Sequence, residues 1–159
     1  NANPDAVMLD LRAGSGDEAI RALQGRLGAV QGAVTDESQF LTDFLERAHV
    51  ASVCIAPEVA LPHARTTAVA RMVLAVGRAA GDIAFDVEHP QVRLVFLIGT
   101  PKSAVKDYLQ VVAALSRLLK NPVTRAGLLT AGTEGEFRAL LQPSQDTMPV
   151  EGRASVAKR

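Results

Sequence analysis

The sequence predicts an α/β domain of three layers, a small mixed sheet flanked by helices. Three observations carry that prediction. Segments of helical periodicity lead the chain, apolar strand-like runs cluster in its middle, and helical segments close it. Two of the middle runs, Ala68 to Val76 (broken by Arg71) and Val92 to Ile98, are long and predominantly apolar, as strands covered on both faces are. Ala56-Pro57-Glu58 joins two short runs by a link of hairpin length, which argues against an all-parallel sheet.

The elements follow in order. Val7 to Leu11 reads as a short strand. Ser15 and Glu18 then have the spacing of a capping box. The helix they open carries Ile20, Leu23, Leu27 and Val30 on one face, and Gly32 is placed to stop it. Asp36-Glu37-Ser38-Gln39 opens a second helix with Phe40, Leu41, Phe44, Leu45 and Ala48 inward. Val53 to Ile55 and Val59 to Leu61 form the hairpin. The run Ala68 to Val76 is expected to be a strand ended by Gly77, and Asp82 to Asp86 a separate short one. Gly99-Thr100-Pro101 stops the strand from Val92. A long helix from about Ser103 to Leu119 presents Val105, Leu109, Val112, Leu115 and Leu119 as its core stripe. Asn121-Pro122 starts another helix, because asparagine caps well and proline is tolerated at the first position. Thr133 and Glu136 form a further capping box before Phe137, Leu140 and Leu141. The folded domain is therefore expected over residues 7–142. Residues 1–6 read as a linker or expression scar and 143–159 as a polar tail.

The totals exclude several function classes. With 159 residues, 48% of them hydrophobic, the chain suits one domain with a sizeable core. Its 17 basic and 17 acidic residues cancel, leaving no excess charge for nucleic acid or a membrane surface. No apolar run has the roughly 18–20 residues of a membrane-spanning helix. The single cysteine, Cys54, allows no intramolecular disulfide and fits a reducing, cytoplasmic setting. No Gly-rich phosphate loop is present and no nucleotide cofactor is indicated. His49 and His89 show no metal-ligand spacing with His63 or Cys54.

One stretch carries chemistry: Val59-Ala60-Leu61-Pro62-His63-Ala64-Arg65-Thr66. Proline cannot donate to a sheet and fixes its own φ, so Pro62 should end the strand and hold His63 at its mouth. A histidine held there offers one ring nitrogen to a partner while a local hydrogen bond fixes the other. A phosphoryl acceptor needs that arrangement; a strand-end histidine with no task is the competing reading. Arg47 lies beside the apolar face of the second helix near its end, where a cation also suits the helix dipole. Ser52, Arg65 and Thr66 are neighbours that could support the site or simply be structural.

Three blocks together resemble the enzyme IIA component of the fructose, mannitol and nitrogen-regulatory class of the bacterial phosphotransferase system. They are the Pro-His signature at Val59 to His63, Arg47 sixteen residues before His63, and the strand–proline loop–helix from Val92 to Leu119 with Tyr108 inside it. The resemblance covers about residues 7–142. It implies the enzyme IIA fructose/mannitol-type fold. It implies that His63 takes a phosphoryl group from the histidine-containing phosphocarrier protein. That group then passes to a cysteine of an enzyme IIB domain or serves as a regulatory signal. Arg47 would hold the phosphoryl oxygens.

Two departures from the family pattern fall at the site. Tyr108 stands where the family has a second histidine, so it would act as an auxiliary donor or a steric wall. Cys54, Ala56 and Glu58 stand where the family is glycine-rich, and Glu58 is expected to bring an anion towards the phosphoryl group. The alternative reading is therefore a non-catalytic domain of the same fold, attached to a transporter or free, acting by protein contact or small-ligand binding.

Overall fold

The computed structural model describes residues 4–50 and 53–142, apart from the side chains of 48–50. Its elements are β1 (Ala6–Leu11), α1 (Gly16–Gly28), α2 (Glu37–Val50), β2 (Cys54–Ala56), β3 (Val59–Ala60), β4 (His63–Arg65), β5 (Val73–Ile83), β6 (Val92–Thr100), α3 (Val105–Lys120), α4 (Pro122–Thr130) and α5 (Glu134–Leu141). The sheet order is β1-β5-β6-β3-β2, with β4 also paired to β6. The β1–β5, β3–β6 and β4–β6 pairs are parallel, and β5–β6 and β2–β3 antiparallel. The sheet is mixed, as the hairpin link required.

Side-chain alternation along the strands builds two cores, one on each face. On β6, Val95 and Leu97 join Ile20, Leu23 and Leu27 of α1 and Phe40 and Phe44 of α2. Leu94, Phe96 and Ile98 turn the other way, onto Leu115 and Leu119 of α3, Leu128 of α4 and Phe137 and Leu141 of α5. Being covered on both sides is what makes the central strands read as unbroken apolar runs.

Caps set the helix starts. Ser15 Oγ accepts from the Glu18 amide at 3.2 Å, and Asp36 Oδ1 from the Gln39 amide at 3.1 Å. Asn121 Oδ1 accepts from the Val123 amide at 2.9 Å with Pro122 in the first turn, and Thr133 and Glu136 complete a capping box.

Several sequence expectations need correction. α1 stops at Gly28, and Gly32 sits in the following turn with φ +77°. Residues 68–72 are not strand. Ala68 and Val69 are buried in a loop, where the Ala68 carbonyl takes both the amide and the hydroxyl of Thr35, at 2.7 and 2.9 Å. Gly77 does not end its strand: β5 continues through it to Ile83, absorbing the start of the expected Asp82 to Asp86 strand. A methyl group at Gly77 would come 2.7 Å from Leu11 Cδ2, so glycine is there to let β1 and α1 approach. β6 extends two residues beyond Ile98. The α3 stripe is buried only in its second half. Val105 and Leu109 are 38% and 58% exposed.

Gly99 couples this fold to α2. A Cβ there would come 2.6 Å from Phe40 Cε1 and 3.3 Å from Val73 Cγ2. Gly99→Ala is expected to destabilise the protein by about 1–3 kcal/mol through overpacking. Denaturant unfolding reads this as a lowered midpoint with an unchanged slope.

Candidate functional site

The site begins with an interruption. β3 pairs with β6 through Ala60↔Val95, and β4 resumes on the same side of β6 at His63↔Ile98. Leu61 and Pro62 lie between them. The Pro62 carbonyl still accepts from the Ile98 amide at 2.9 Å, and the Leu61 amide donates to the Val53 carbonyl at 2.7 Å. The Leu61 carbonyl turns instead to the side chain of His63, whose Nδ1 lies 2.6 Å away. Pro62 thus breaks the ladder without ending it, and His63 is the first residue of a short strand.

A carbonyl only accepts, so this contact places the proton on Nδ1 and leaves the lone pair on Nε2. His63 is half-buried, and its pKa lies below 6.5. Burial is the main cause, the Leu61 carbonyl opposes it, and the Arg47 charge adds to it. The ring is therefore neutral at pH 7.

Tyr108 faces this ring from α3, with centroids 5.6 Å apart and planes tilted by 43°. Burial raises its pKa above 10.0 against the opposing charges of Arg47 and Arg65, so it remains a phenol. Arg47 on α2 therefore acts electrostatically on both rings. Beside them opens a cleft of about 710 Å³, lined by Asp43, Glu46, Arg47, Arg65, Lys102, Val105, Tyr108 and Leu109 among others. Arg47, Arg65 and Lys102 set three cations against the two carboxylates of Asp43 and Glu46.

One of those carboxylates is structural. Asp43 Oδ2 accepts from the Thr66 hydroxyl at 2.6 Å, and Thr66 Oγ1 accepts from the Ala68 amide at 3.0 Å. Thr66 is fully buried and ties α2 to the end of β4. It is not a ligand-facing hydroxyl. Ser52 lies outside the described residues, as does the side chain of His49.

The expectation for Glu58 was wrong. It sits in the β2–β3 turn, where its carboxylate accepts from Arg125 Nε at 3.2 Å, and it borders a different cleft with Arg78 and Arg93. It does not line the cleft beside His63. Lys102 and Asp43 were missed by sequence reasoning. Lys102 follows the strand-ending proline and could have been found from that position; Asp43 carried no signal. Residues without a metal-ligand spacing in sequence can still meet in the fold. Folding brings His89 and Asp86 to Cys54, with ligand atoms of all three within 4.8 Å of one another.

The family model for the phosphoenolpyruvate-dependent sugar phosphotransferase system, EIIA 2, matches residues 2–143. The 2-O-alpha-mannosyl-D-glycerate-specific EIIABC component of Escherichia coli is 31% identical over 148 residues, covering 91% of this chain. The chain spans 22% of that relative's length. Among solved structures, nitrogen regulatory protein IIA-Ntr of Neisseria meningitidis superposes with a TM-score of 0.77. It is 22% identical, and the match covers 87% of this chain and 94% of that one. The Escherichia coli enzyme IIA mannitol, solved in complex with phosphorylated enzyme IIB mannitol, gives 0.72 at 18% identity. That match covers 89% of this chain and 96% of that one. The mixed sheet flanked by helices is the fold of these proteins.

The lowered pKa of His63 has a stability consequence. The unfolded chain titrates this group near 6.5 and the folded chain lower, so between these values the unfolded state binds more protons. Its contribution is intact above pH 6.5 and is lost as the pH falls through 6.5 towards the folded value. His63→Gln is expected to flatten that part of the stability profile, as measured by denaturant midpoints at successive pH values.

Proposed function

The chain belongs to the EIIA type 2 family of the phosphoenolpyruvate-dependent sugar phosphotransferase system, and on that premise we propose that His63 is its phosphoryl acceptor. The observation that carries this reading is the 2.6 Å contact between His63 Nδ1 and the Leu61 carbonyl, which leaves Nε2 as the nucleophilic atom. The donor is a phosphohistidine of the histidine-containing phosphocarrier protein. The Nε2 lone pair forms the new N–P bond as the donor's N–P bond breaks, and the donor ring keeps the electron pair. Once phosphorylated, the His63 ring carries positive charge, which the Leu61 carbonyl stabilises through Nδ1–H.

The transferred group is loosely bonded at the transition state and spreads charge over its equatorial oxygens, so the task is positioning and electrostatics. Arg47 presents a planar fork suited to those oxygens. Arg65 and Lys102 add positive charge along the same cleft, and Tyr108 serves as a neutral donor at its wall. The exposed Val105 and Leu109 provide apolar contact for a docking protein beside the histidine. The acceptor is a cysteine of an enzyme IIB domain, a reading supported by the enzyme IIB complex of the mannitol neighbour. No described helix is long and apolar enough to cross a membrane. Any membrane component would therefore lie elsewhere in the protein or in a partner.

A second reading rests on Tyr108. A phenol with a raised pKa supplies no titratable cation near neutral pH, and the neighbour from Neisseria is a nitrogen regulatory protein. In this reading the domain has kept the fold and acts by contact alone.

Incubation with the phosphorylated phosphocarrier protein, followed by intact-mass analysis under alkaline conditions, separates the two. One phosphoryl increment, absent in His63→Ala, is the expected result. No increment with the host's own donor would favour the regulatory reading. Tyr108→His is expected to raise the labelling rate if tyrosine slows transfer; an unchanged rate would mean the tyrosine is adapted to the site.

A further inference from the structure

We propose that Cys54, Asp86 and His89 form a binding site for a zinc-class divalent cation. The three residues come from two separate parts of the chain. Cys54 is on β2, held by its pairing with Ala60 of β3. Asp86 and His89 belong to the turn between β5 and β6. That turn is tightly made: the Phe85 amide donates to the His89 carbonyl at 3.0 Å and the His89 amide to the Asp86 carbonyl at 3.1 Å. Asp86 Oδ1 also takes the Glu88 amide at 2.9 Å. The backbone thus fixes the carboxylate and the imidazole side by side, with His89 Nδ1 2.7 Å from Asp86 Oδ1.

Ligand atoms of all three side chains lie within 4.8 Å of one another. Zinc bond lengths of about 2.0–2.3 Å in a tetrahedron place neighbouring ligand atoms roughly 3.3–3.6 Å apart. The set therefore needs a modest contraction of any separation near its 4.8 Å limit and an opening of the 2.7 Å carboxylate–imidazole contact.

The donor chemistry selects the ion. A thiolate and an imidazole are poor ligands for magnesium or calcium and good ones for zinc, cobalt(II) or nickel(II). Cys54 and His89 are partly exposed and Asp86 is exposed, so an ion has an entry path. Three protein ligands leave one position for water or for an external ligand. The site uses none of the residues assigned to phosphoryl transfer, so its fate is independent of that reading.

Cobalt(II) titration of the whole chain tests the proposal. Cys54 is the only cysteine, so a sulfur-to-cobalt charge-transfer band in the near ultraviolet reports this site alone. The expected result is one ion per chain by native mass, with the band displaced by zinc. Cys54→Ser should abolish the band. His89→Gln and Asp86→Asn should each weaken cobalt binding by at least about tenfold, the loss that an outer-shell partner alone can bring. Circular dichroism checks that each variant is folded, and Asp86→Asn on the exposed turn serves if either other variant is not. No band at a large excess of cobalt would overturn the proposal. So would an unchanged affinity in a folded His89→Gln or Asp86→Asn variant, or one ion shared between two chains.

Discussion

The whole arrangement around His63 depends on a carbonyl that the sheet does not use. A strand passing unbroken along β6 would commit its main-chain groups to the ladder. Between β3 and β4 the ladder skips, and the Leu61 carbonyl closes on His63 Nδ1 instead. A buried carbonyl without a partner costs roughly 1–3 kcal/mol. The imidazole is therefore held by a group that also needs it. The same contact selects the tautomer, and burial keeps the ring neutral. Position and proton placement trace to one main-chain oxygen, and neutrality to burial, which that oxygen opposes.

The second constraint places Arg47. α2 could slide along the sheet if only its apolar face held it. Phe40 packs over Gly99 on β6, where there is no room for a methyl group, and Asp43 bonds Thr66 at the end of β4. Both anchors are on the helix that carries Arg47, and they grip β6 and the end of β4, the strand that carries His63 and pairs with β6. The T-shaped pair Phe40–Phe44, with centroids 4.7 Å apart, stiffens the same helix face. Arg47 is thus registered against His63 by packing and a hydrogen bond, not by a direct bond between the two.

Much of this was legible in the sequence, for physical reasons that can be named. The caps at Ser15, Asp36, Asn121 and Thr133 are local chemistry and were read correctly as helix starts. The apolar runs of β5 and β6 announced strands buried on both faces. The boundaries failed where tertiary contact overrides local preference. Gly77 looks like a strand terminator, yet it is inside β5 because Leu11 needs the space. Residues 68–72 read as part of an apolar run but form a loop, with Ala68 and Val69 buried and Ala70 and Arg71 exposed. Of the residues proposed for the site, Pro62 marks His63 in the sequence itself, whereas Arg47 and Tyr108 were singled out by the family resemblance and carried no local signal of their own. Glu58 was misplaced because sequence proximity to His63 is undone by the short hairpin, which turns it away to Arg125. The Cys54–His89 cluster was invisible because its partners meet only through the sheet order.

Having Tyr108 where the family resemblance leads one to expect a histidine changes the electrostatics less than the residue types suggest. A second imidazole near His63 would carry charge for only part of the time at neutral pH, and in a half-buried place for less. Arginine and lysine carry theirs throughout. Arg47, Arg65 and Lys102 already border the cleft. Of the two facing carboxylates, Asp43 is engaged with Thr66, which restricts where its charge can go. In the proposed transfer, charge on the phosphoryl oxygens would thus be met by permanent cations. What Tyr108 withholds is a proton that could move; what it keeps is a hydrogen-bond donor and an aromatic wall against the His63 ring. Since the proposed transfer onto His63 moves a phosphoryl group between nitrogens and needs no proton delivered to the leaving atom, the missing titration is the less important loss in that step.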